Sequence, residues 1–549
     1  MCEIPKKESL TVEFKSDKKE LPDSVILDVV VAFANTEGGE FYLGVEDDGT
    51  PTGVHPHHKD ITRLGAFIAN QTVPSLSVRA EMILVSGVSV LKVSVPKCST
   101  IVATSSGKIL RRRLKADGSP QNIPLYPYEI ESRLSSLSLL DVSAQVVPDA
   151  SRDDFDPVER ERLRNMLRQS NGETNLLELD DLELDKALRF VVRKDGDYKP
   201  TLTGLLLIGR ADRLRELVPT NESAVQLMRG TDIRVNESFS LPLLASLEKI
   251  YTFFEAENRE EEVDTDLLRI PLPQYDKRAF REALINAYSH RDYTRLGRVR
   301  VVLEDMGLTI TSPGGFIEGV RADNLIEAEP HGRNPLLADC LKRIGLAERS
   351  GRGIDRIYEG SLRYGKPAPD YSASNMSRVS VFIPKSHPDV PFMQMLQEEQ
   401  EKYHHVFSIY ELLVLNQLKI QRRLNLQAFV SILHLSAYRL RMTLENLTEM
   451  GILETVGGKS SRAYILSARI YKSEHQLTKY VRQKGIEDTR YGELILSLLR
   501  KQKRVTRSDA AELLHITPSQ AYRQLKALEQ EGKIILQGRG RSACYVLRS

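Results

Sequence analysis

The sequence predicts a multidomain α+β protein that ends in two copies of one small module. The chain has 549 residues, more than a single hydrophobic core usually serves, so several domains are expected. Strand-like and helix-like segments are interleaved over most of its length. Near the carboxyl end, Phe407–Leu466 and Asp488–Leu547 align without gaps. Each copy contains three helical segments followed by two short strands, so the alignment predicts a duplicated domain.

The composition is that of an ordinary globular protein. Apolar residues make up 41% and charged residues 28% of the chain, and the net charge is only +2, so any basic function has to be local. No apolar run reaches the ~18 residues of a membrane span, and the amino terminus lacks the apolar stretch of a signal peptide. The four cysteines are far apart and match no zinc-binding spacing. We therefore expect a cytoplasmic protein with reduced cysteines and no membrane partner.

Residues 1–135 are predicted to form the first domain, of mixed α/β type. A strand at Thr11–Phe14 precedes a helix at Pro22–Asn35, and a glycine pair turns the chain into a second strand, Phe41–Val45. The sequence Asp47-Asp48-Gly49 has the composition of a tight turn. The pattern continues with one helix and two alternating strands, at Asp60–Asn70, Ser77–Val85 and Val88–Val95.

This first domain carries acidic residues and a lysine that suit metal-dependent chemistry. Glu13 and Lys15 are two residues apart on the predicted strand and share a face. Glu8 precedes them, and Asp47 follows the second strand. Three converging carboxylates can hold a divalent ion against a phosphate, with the lysine stabilising negative charge. Acidic residues at strand ends are also common as solvent-facing turn residues, so the spacing alone leaves both interpretations open.

These segments resemble the Schlafen/AlbA-like domain of eukaryotic Schlafens and prokaryotic regulators. The resemblance rests on the E-x4-E-x-K start at Glu8, the AFANTEGG block and the GVEDDG turn, which occur in that order. In nuclease-active Schlafens two glutamates and an aspartate cleave RNA with a divalent metal. The resemblance places those roles on Glu8, Glu13 and Asp47, with Mg²⁺ or Mn²⁺ as the ion.

A basic cluster follows in the same domain. It is predicted either to hold a nucleic-acid backbone or to form a solvated loop. Its members are Arg111, Arg112, Arg113 and Lys115.

Residues 136–270 are predicted to form an α/β connecting region. Helices are expected at Phe155–Arg168 and Asp185–Val192, and a buried apolar strand at Thr203–Ile208. The charge run Arg259-Glu260-Glu261-Glu262 is most simply a solvated segment.

A nucleotide site is predicted in the third region, residues 271–385. The helix Lys277–His290 carries Glu282 and Asn286 one turn apart on one face. There a carboxylate can activate water and an amide oxygen can ligate Mg²⁺. His290 extends the polar end of the helix. Two glycine pairs follow, which would let backbone N–H groups approach phosphates, although turn formation explains each pair equally well: Gly314, Gly315, Gly351 and Gly353.

The same region resembles the divergent GHKL-type ATPase domain of RecG-related regulators. The matching segments are TLTGLLLIGRAD upstream, then EALINAYSHRDY, ITSPGGF and RNPLLADCLKRIGLAERSGRGIDRI. The resemblance assigns water activation to Glu282 and Mg²⁺ binding to Asn286, with ATP or another nucleotide bordered by the glycines. Ser312 stands near the place where GHKL ATPases have their adenine-binding aspartate, and Asp305 is out of register. No G-x4-G-K-[ST] phosphate loop is present, which argues against a motor helicase.

The repeat occupies residues 404–470 and 485–549, after a polar segment predicted to be a linker (386–403). In each copy the third helix is followed by a glycine, Gly451 or Gly532, and then by two strands around a basic loop. This order is that of a winged helix-turn-helix, whose usual partner is DNA, although such modules also mediate protein contacts. The side chains predicted to reach bases or phosphates are Arg439, Arg441, Lys459 and Arg462 in the first copy and Tyr522, Arg523, Lys526, Arg539 and Arg541 in the second.

The sequence thus predicts a nucleotide-responsive DNA-binding regulator, with RNA as a second candidate partner. One alternative is a metal-dependent Schlafen-like nuclease that acts on RNA, tRNA or single-stranded DNA, for instance in anti-phage defence. Weak ATPase activity is compatible with either. A third alternative is an oligomeric scaffold whose winged helices contact protein. A homo-oligomer is expected under all three, because AlbA-like domains often pair.

Overall fold

The chain is an α+β protein with several separate sheets and covering helices, as the sequence predicts. The computed structural model describes residues 4–170, 172–265, 268–329, 331–348, 351–457, 462–467, 491–514, 518–530, 532–537 and 543–548. In those residues no helix combines the length and the apolar character that a bilayer crossing requires.

The amino-terminal domain is a four-stranded sheet with a deeply buried helix. The sheet order is β1-β2-β5-β4, with β1 parallel to β2 and the other pairs antiparallel. Helix α1 makes the crossover that a parallel pair needs, and it is covered on its other side by β7. The elements are β1 (Val12–Lys15), α1 (Asp23–Ala34), β2 (Gly39–Leu43), α2 (Ile61–Asn70), β3 (Thr72–Val73), β4 (Arg79–Val85), β5 (Val88–Val95), β6 (Ala103–Thr104), β7 (Leu110–Leu114), β8 (Pro120–Pro124) and α3 (Pro127–Ser136).

The connecting region and the central domain share one hydrophobic core. A five-stranded sheet, β12-β11-β15-β16-β17, is antiparallel except for the parallel pair β11–β15. Helix α9 packs on β16, and α11 packs on α9. The elements are α4 (Pro157–Gln169), α5 (Asp181–Ala187), β9 (Val191–Lys194), β10 (Asp197–Pro200), α6 (Leu202–Ile208), α7 (Ala211–Leu217), β11 (Ser223–Arg229), β12 (Asp232–Phe239), α8 (Leu243–Glu257), β13 (Glu260–Thr265), β14 (Leu268–Pro273), α9 (Lys277–Ser289), β15 (Val299–Glu304), β16 (Gly307–Pro313), α10 (Pro335–Ile344), α11 (Gly353–Leu362) and β17 (Arg378–Pro384).

Three predictions for these regions were wrong. The apolar run at 203–208 is the helix α6 and not a strand, and every residue of it is buried. A short, wholly apolar run has no periodicity that separates the two structures. The predicted helix 185–192 ends at Ala187, and β9 begins at Val191. The predicted linker contains a helix, Val390–Tyr403, whose Phe392, Met395 and Leu396 are buried.

The charge run at 259–262 enters strand β13. Its described side chains, Arg259, Glu260 and Glu262, are exposed, as predicted.

The duplicated module at the carboxyl end is present in both copies. In each, three helices precede a strand pair, and a glycine with positive φ ends the third helix: Gly451 at 66° and Gly532 at 71°. The elements are α12 (Val390–Tyr403), α13 (Ile409–Gln421), β18 (Leu424–Asn425), α14 (Leu426–Leu433), α15 (Ala437–Glu449), β19 (Leu453–Val456) and β20 (Ala463–Leu466), then α16 (Tyr491–Gln502), α17 (Arg507–Leu514), α18 (Pro518–Gln530), β21 (Ile534–Gln537) and β22 (Cys544–Leu547).

The first copy is docked on the central domain. Its helix α13 packs against α11, where the Asn416 amide donates to the Leu362 carbonyl at 3.0 Å and the Lys419 amine donates to the Gly365 carbonyl at 2.5 Å. Three residues of its strand pair, Val456, Ala463 and Ile465, belong to the core of the second copy. The wing of the first copy therefore joins the two modules.

Candidate nucleotide pocket and nucleic-acid interface

A cavity of about 250 Å³ lies in the central domain between α9, the loop after β16 and the start of α11. Its wall is largely apolar, and two aromatic rings, Phe316 and Tyr371, lie 6.3 Å apart along it. Ligand sites usually combine such walls with a few convergent polar groups. The predicted nucleotide-site residues all line this cavity: Glu282, Asn286, His290, Gly314, Gly315, Gly351 and Gly353.

Glu282 is the most buried carboxylate of the cavity. Helix α9 carries it, and the side chain of Asp276 caps the start of this helix by accepting from the Ala279 N–H. Glu282 is 4% exposed, and burial raises the pKa of its carboxyl, which the nearby Arg356 partly opposes. A Cβ atom at Gly353 would overlap the Glu282 carboxylate. Glycine at the start of α11 is therefore what allows Glu282 its position.

Replacing Glu282 with glutamine is expected to stabilise the protein at neutral pH. Because the pKa of Glu282 is raised on folding, its contribution to stability is present below the unfolded-state pKa and is lost as pH rises through the folded-state pKa. The hydrogen-exchange protection of the α9 amides in Glu282→Gln should match that of the wild type near about pH 4 and exceed it near about pH 8. The exposed Glu445→Gln serves as the control. A difference that does not change with pH would contradict this expectation.

The glycines of the first pair are required by packing. Gly314 has a φ of +96°, and a Cβ there would lie 2.6 Å from the Asp292 Cβ. At Gly315 a Cβ would lie 2.8 Å from the Asn375 carbonyl oxygen. The close approach of these neighbours accounts for both glycines without a ligand. The packing of the cavity wall therefore requires residues without a side chain at both positions.

Other polar groups of the cavity were not predicted from the sequence. Lys342, on α10, lines the cavity and forms no ion pair with any residue that the structure describes. Asp355, on α11, also lines it and lies 3.5 Å from Arg352. Burial lowers the pKa of His290 to about 4, so this imidazole is neutral at pH 7. Lys342 and Asp355 both lie within the RNPLLADCLKRIGLAERSGRGIDRI segment, so that segment could have indicated them. No sequence signal singled out Tyr371.

The two residues considered for adenine recognition differ in position. The Ser312 hydroxyl lines the cavity and donates to the Ala287 carbonyl at 2.6 Å. Asp305 lies elsewhere, where it accepts from the Gly230 N–H at 2.6 Å. Of the two, only Ser312 borders the cavity.

The segment 314–329, which we call the pocket loop, connects the cavity with two other domains. Its residues Leu325, Ile326 and Ala328 line the cavity. Glu318 forms ion pairs of 3.2 Å with Lys97 and Arg133 of the amino-terminal domain. Glu327 accepts from the Ser436 N–H at 3.2 Å, at the start of α15, and lies 3.8 Å from the Arg439 Nε.

The acidic residues of the amino-terminal domain are neighbours, but their charges are already compensated in part. Glu13 is 6% exposed and forms ion pairs with Lys15 and Arg112. Glu8 accepts from the Phe14 N–H at 3.0 Å; burial and the charges of Glu13 and Asp47 raise the pKa of Glu8. The oxygens of Glu8, Glu13 and Asp47 do not all lie within 4.8 Å of one another.

The basic cluster of the same domain is only partly at the surface. The Arg112 guanidinium is fully buried, so it is a structural group, and the expectation that it contacts a nucleic-acid backbone is corrected. Arg111 pairs with Glu129. Arg113 and Lys115 are exposed.

The winged modules expose part of the predicted contact surface. On α15, Tyr438 is 74% exposed and Arg441 is exposed, while the Arg439 guanidinium lies 4.5 Å from the Tyr410 ring centre. Arg462 follows at the wing, over the Tyr464 ring. On α18, Tyr522 is exposed, and Lys526 pairs with Glu529 at 2.8 Å. Lys459, Arg539, Arg541 and the side chain of Arg523 lie outside the described residues.

Comparison with family models identifies three of the domains. Residues 8–118 match the model "Schlafen, AlbA_2", and residues 489–535 match "Winged helix-turn-helix DNA-binding". Residues 297–383 match "Putative ATP-dependent DNA helicase recG C-terminal", a match that begins after α9. Residues 134–223 match a domain of unknown function, DUF8451. The chain thus carries a Schlafen/AlbA_2 domain, a HATPase-like domain of the RecG C-terminal type and a winged helix-turn-helix DNA-binding domain.

A solved structure with a similar fold is the crystal structure of the DIP2311 protein from Corynebacterium diphtheriae. The two proteins share 21% sequence identity with a TM-score of 0.50, over 84% of this chain and 92% of that chain. At this identity the similarity concerns the fold alone. No curated protein matches the chain.

Proposed function

We propose that this protein is a DNA-binding regulator whose central cavity binds a nucleotide with Mg²⁺. We propose also that the bound nucleotide changes the affinity of the protein for DNA. The observation that carries this proposal is the pocket loop. One segment lines the cavity through Ile326 and Ala328 and, through Glu327 between them, contacts the recognition helix α15. A ligand in the cavity can therefore act, through the same few residues, on the surface of α15 that faces DNA.

The cavity offers a suitable group for each part of a nucleotide. Phe316 and Tyr371 provide faces for a base. Lys342 is a cation without an ion-pair partner in the described chain, available to a phosphate. Asn286 supplies an amide oxygen for Mg²⁺. Glu282, with its raised pKa, suits a general base for water, which makes slow hydrolysis a secondary activity of the same site.

The coupling runs through Arg439. In the structure Glu327 accepts from the N–H of Ser436, the residue that caps α15, and pairs with the Arg439 side chain. A carboxylate at this place repels phosphates and occupies a guanidinium that winged helices direct to DNA. Nucleotide binding displaces residues 325–328, withdraws Glu327 and frees Arg439. We therefore expect nucleotide to strengthen DNA binding.

Binding measurements on the full chain test this function. Calorimetry should detect ATP only when Mg²⁺ is present, and Asn286→Ala should weaken this Mg²⁺-dependent binding. Fluorescence anisotropy should detect duplex DNA with an affinity that falls as KCl rises, because phosphate contacts release counterions. Absence of ATP binding would refute the nucleotide site, whereas DNA binding that ignores KCl would refute the winged-helix interface.

Replacing Glu327 with glutamine is expected to raise DNA affinity without nucleotide and to remove the effect of nucleotide. Its control is Asp323→Asn, an acid of the same loop that pairs with Arg321 and not with α15. Both variants remove one negative charge, so a general charge effect would appear in both. We expect an increase of roughly two- to fivefold for Glu327→Gln, equivalent to a partly exposed charged contact of about 0.4–1 kcal/mol. Equal responses of the two variants would contradict the coupling.

A metal-dependent nuclease is the second candidate function, because the Schlafen, AlbA_2 match includes Glu8, Glu13 and Asp47. These carboxylates have to move closer, and Glu13 has to leave Arg112, before they can share one ion. Incubation with tRNA and single-stranded DNA in Mn²⁺ or EDTA tests it. Cleavage that requires Mn²⁺ and is lost in Asp47→Asn would support the nuclease, and intact substrates under all conditions would refute it.

Two further parts of the proposal are tested separately. The same samples show whether RNA is bound, and mass photometry measures the proposed homo-oligomer.

A further inference from the structure

Three side chains outside the sites above converge on one point of the amino-terminal domain. Glu20 lies on the loop after β1, and His55 and His57 lie on the loop before α2. One potential ligand atom from each lies within 4.8 Å of the other two. His57 Nδ1 is 2.8 Å from a Glu20 carboxylate oxygen. Within the described part of the chain, no other three acidic, histidine or cysteine side chains meet this spacing.

A buried carboxylate fixes both loops in place. Asp17 is 1% exposed. It accepts from the Leu21 N–H at 2.9 Å, directly after Glu20, and from the His55 N–H at 2.7 Å. It also lies 3.0 Å from the Nδ1 of buried His58. The two backbones that carry the three side chains are therefore held by one group, independently of any ligand.

The local backbone also limits how far the two histidines can separate. Pro56 stands between them and begins a 3₁₀ turn, Pro56–His58, so φ at this position is restricted. The His55 and His57 rings have centres 5.4 Å apart. Only side-chain rotations of exposed groups remain to be made, and these are small for ligand atoms already this close.

The chemistry of the three groups matches a particular class of ion. Two imidazoles and one carboxylate form a ligand set that Zn²⁺ uses in three-ligand sites, with water in the fourth position. Imidazole nitrogens favour Zn²⁺, Cu²⁺ or Ni²⁺ over Mg²⁺ and Ca²⁺.

We propose that Glu20, His55 and His57 form a binding site for a divalent transition-metal ion of the zinc class. The ion would join the loop after β1 to the loop before α2, and its fourth position would face solvent. The site shares no residue with the acidic group of Glu8, Glu13 and Asp47. It also rests on none of the arguments for nucleotide or DNA binding.

Cobalt absorption on the full chain, purified without a histidine tag, tests this site. Co²⁺ replaces Zn²⁺ and reports its coordination in the visible spectrum. We expect one Co²⁺ per chain, displaced by Zn²⁺, and affinity at least roughly tenfold weaker in His57→Ala and in Glu20→Gln. The control is a double variant, His387→Ala with His404→Asn, which removes two exposed histidines elsewhere in the chain and should bind like the wild type.

The ion should also stabilise the folded amino-terminal domain, because its ligands are brought together only by folding. We expect Zn²⁺ to slow hydrogen exchange at His55 to His58 in the wild type and not in His57→Ala. His57→Ala and Glu20→Gln both change exposed side chains, and circular dichroism tests whether the two variants fold. Either of two outcomes overturns the site: no saturable Co²⁺ binding in the micromolar range, or binding that His57→Ala and Glu20→Gln leave unchanged.

Discussion

Replacing Arg112 with alanine is expected to destabilise the amino-terminal domain by about 3–5 kcal/mol, the usual effect of breaking a buried ion pair. The Arg112 guanidinium is buried against the Phe33 ring and pairs with Glu13. It also donates to the Ser9 and Val12 carbonyls, each at 2.9 Å. Its removal leaves Glu13 with Lys15 alone and takes one donor from each of the two carbonyls, which keep only the reciprocal backbone hydrogen bonds between Ser9 and Val12.

Hydrogen exchange is the appropriate measurement, because a chain of several domains does not unfold in one step. Protection of the α1 and β2 amides should fall by roughly two to three and a half orders of magnitude, at about 1.4 kcal/mol per factor of ten. The neighbouring Arg113→Ala, at an exposed position, should stay within about 0.5 kcal/mol of the wild type. The double variant Glu13→Gln with Arg112→Met should recover part of the loss, since both charges are then absent. If Arg112→Ala and Arg113→Ala behave alike, the buried pair does not stabilise the domain.

Replacing Gly353 with alanine is expected to weaken nucleotide binding by roughly ten- to hundredfold, equivalent to about 1.4–2.8 kcal/mol. The added methyl group would overlap the Glu282 carboxylate, so either that side chain or α11 has to move. Both movements change the cavity where the nucleotide is proposed to bind. Calorimetry with ATP and Mg²⁺ measures the affinity.

The matched control is Gly332→Ala, at another glycine of the same cavity. Its nearest neighbour, the Ala338 Cβ, lies 4.0 Å from the added atom, so the methyl group fits and affinity should be unchanged. Hydrogen exchange separates a disturbed packing of α11 from a loss of nucleotide binding. Exchange in α11 should accelerate in Gly353→Ala whether or not a nucleotide binds. If Gly353→Ala keeps both the nucleotide affinity and the α11 hydrogen exchange of the wild type, the overlap with Glu282 is relieved without a loss of stability, and the prediction is wrong.

Much of the fold follows from local patterns in the sequence. Helices α1, α2, α4 and α9 lie within a residue or two of their predicted positions, because apolar periodicity and capping are local properties. The duplicated module was predicted through its repeated spacing, and Gly451 and Gly532 end the third helices as expected. The cavity residues Glu282 and Asn286 were found because their spacing places them on one face of a helix.

Other features were beyond local patterns. Helix α6 was mistaken for a strand because an apolar run buried on all sides has no polar face to show its period. The helix Val390–Tyr403 was mistaken for a linker because its buried residues are few, and its partners lie in the core shared with the central domain. Arg112 was read as a surface group because a run of three arginines does not show that the middle one faces Glu13 and Phe33.

The domain types, the helix that carries Glu282 and Asn286, and the two winged modules are predictable from the amino-acid order, because each depends on residues close together in the chain. Which distant groups meet is seen only in the folded chain: Glu327 with Arg439, Gly353 with Glu282, and Glu20 with His55 and His57. Secondary structure follows from the period and backbone preferences of neighbouring residues, whereas such contacts depend on how separate elements pack, and one sequence does not record the distances between them.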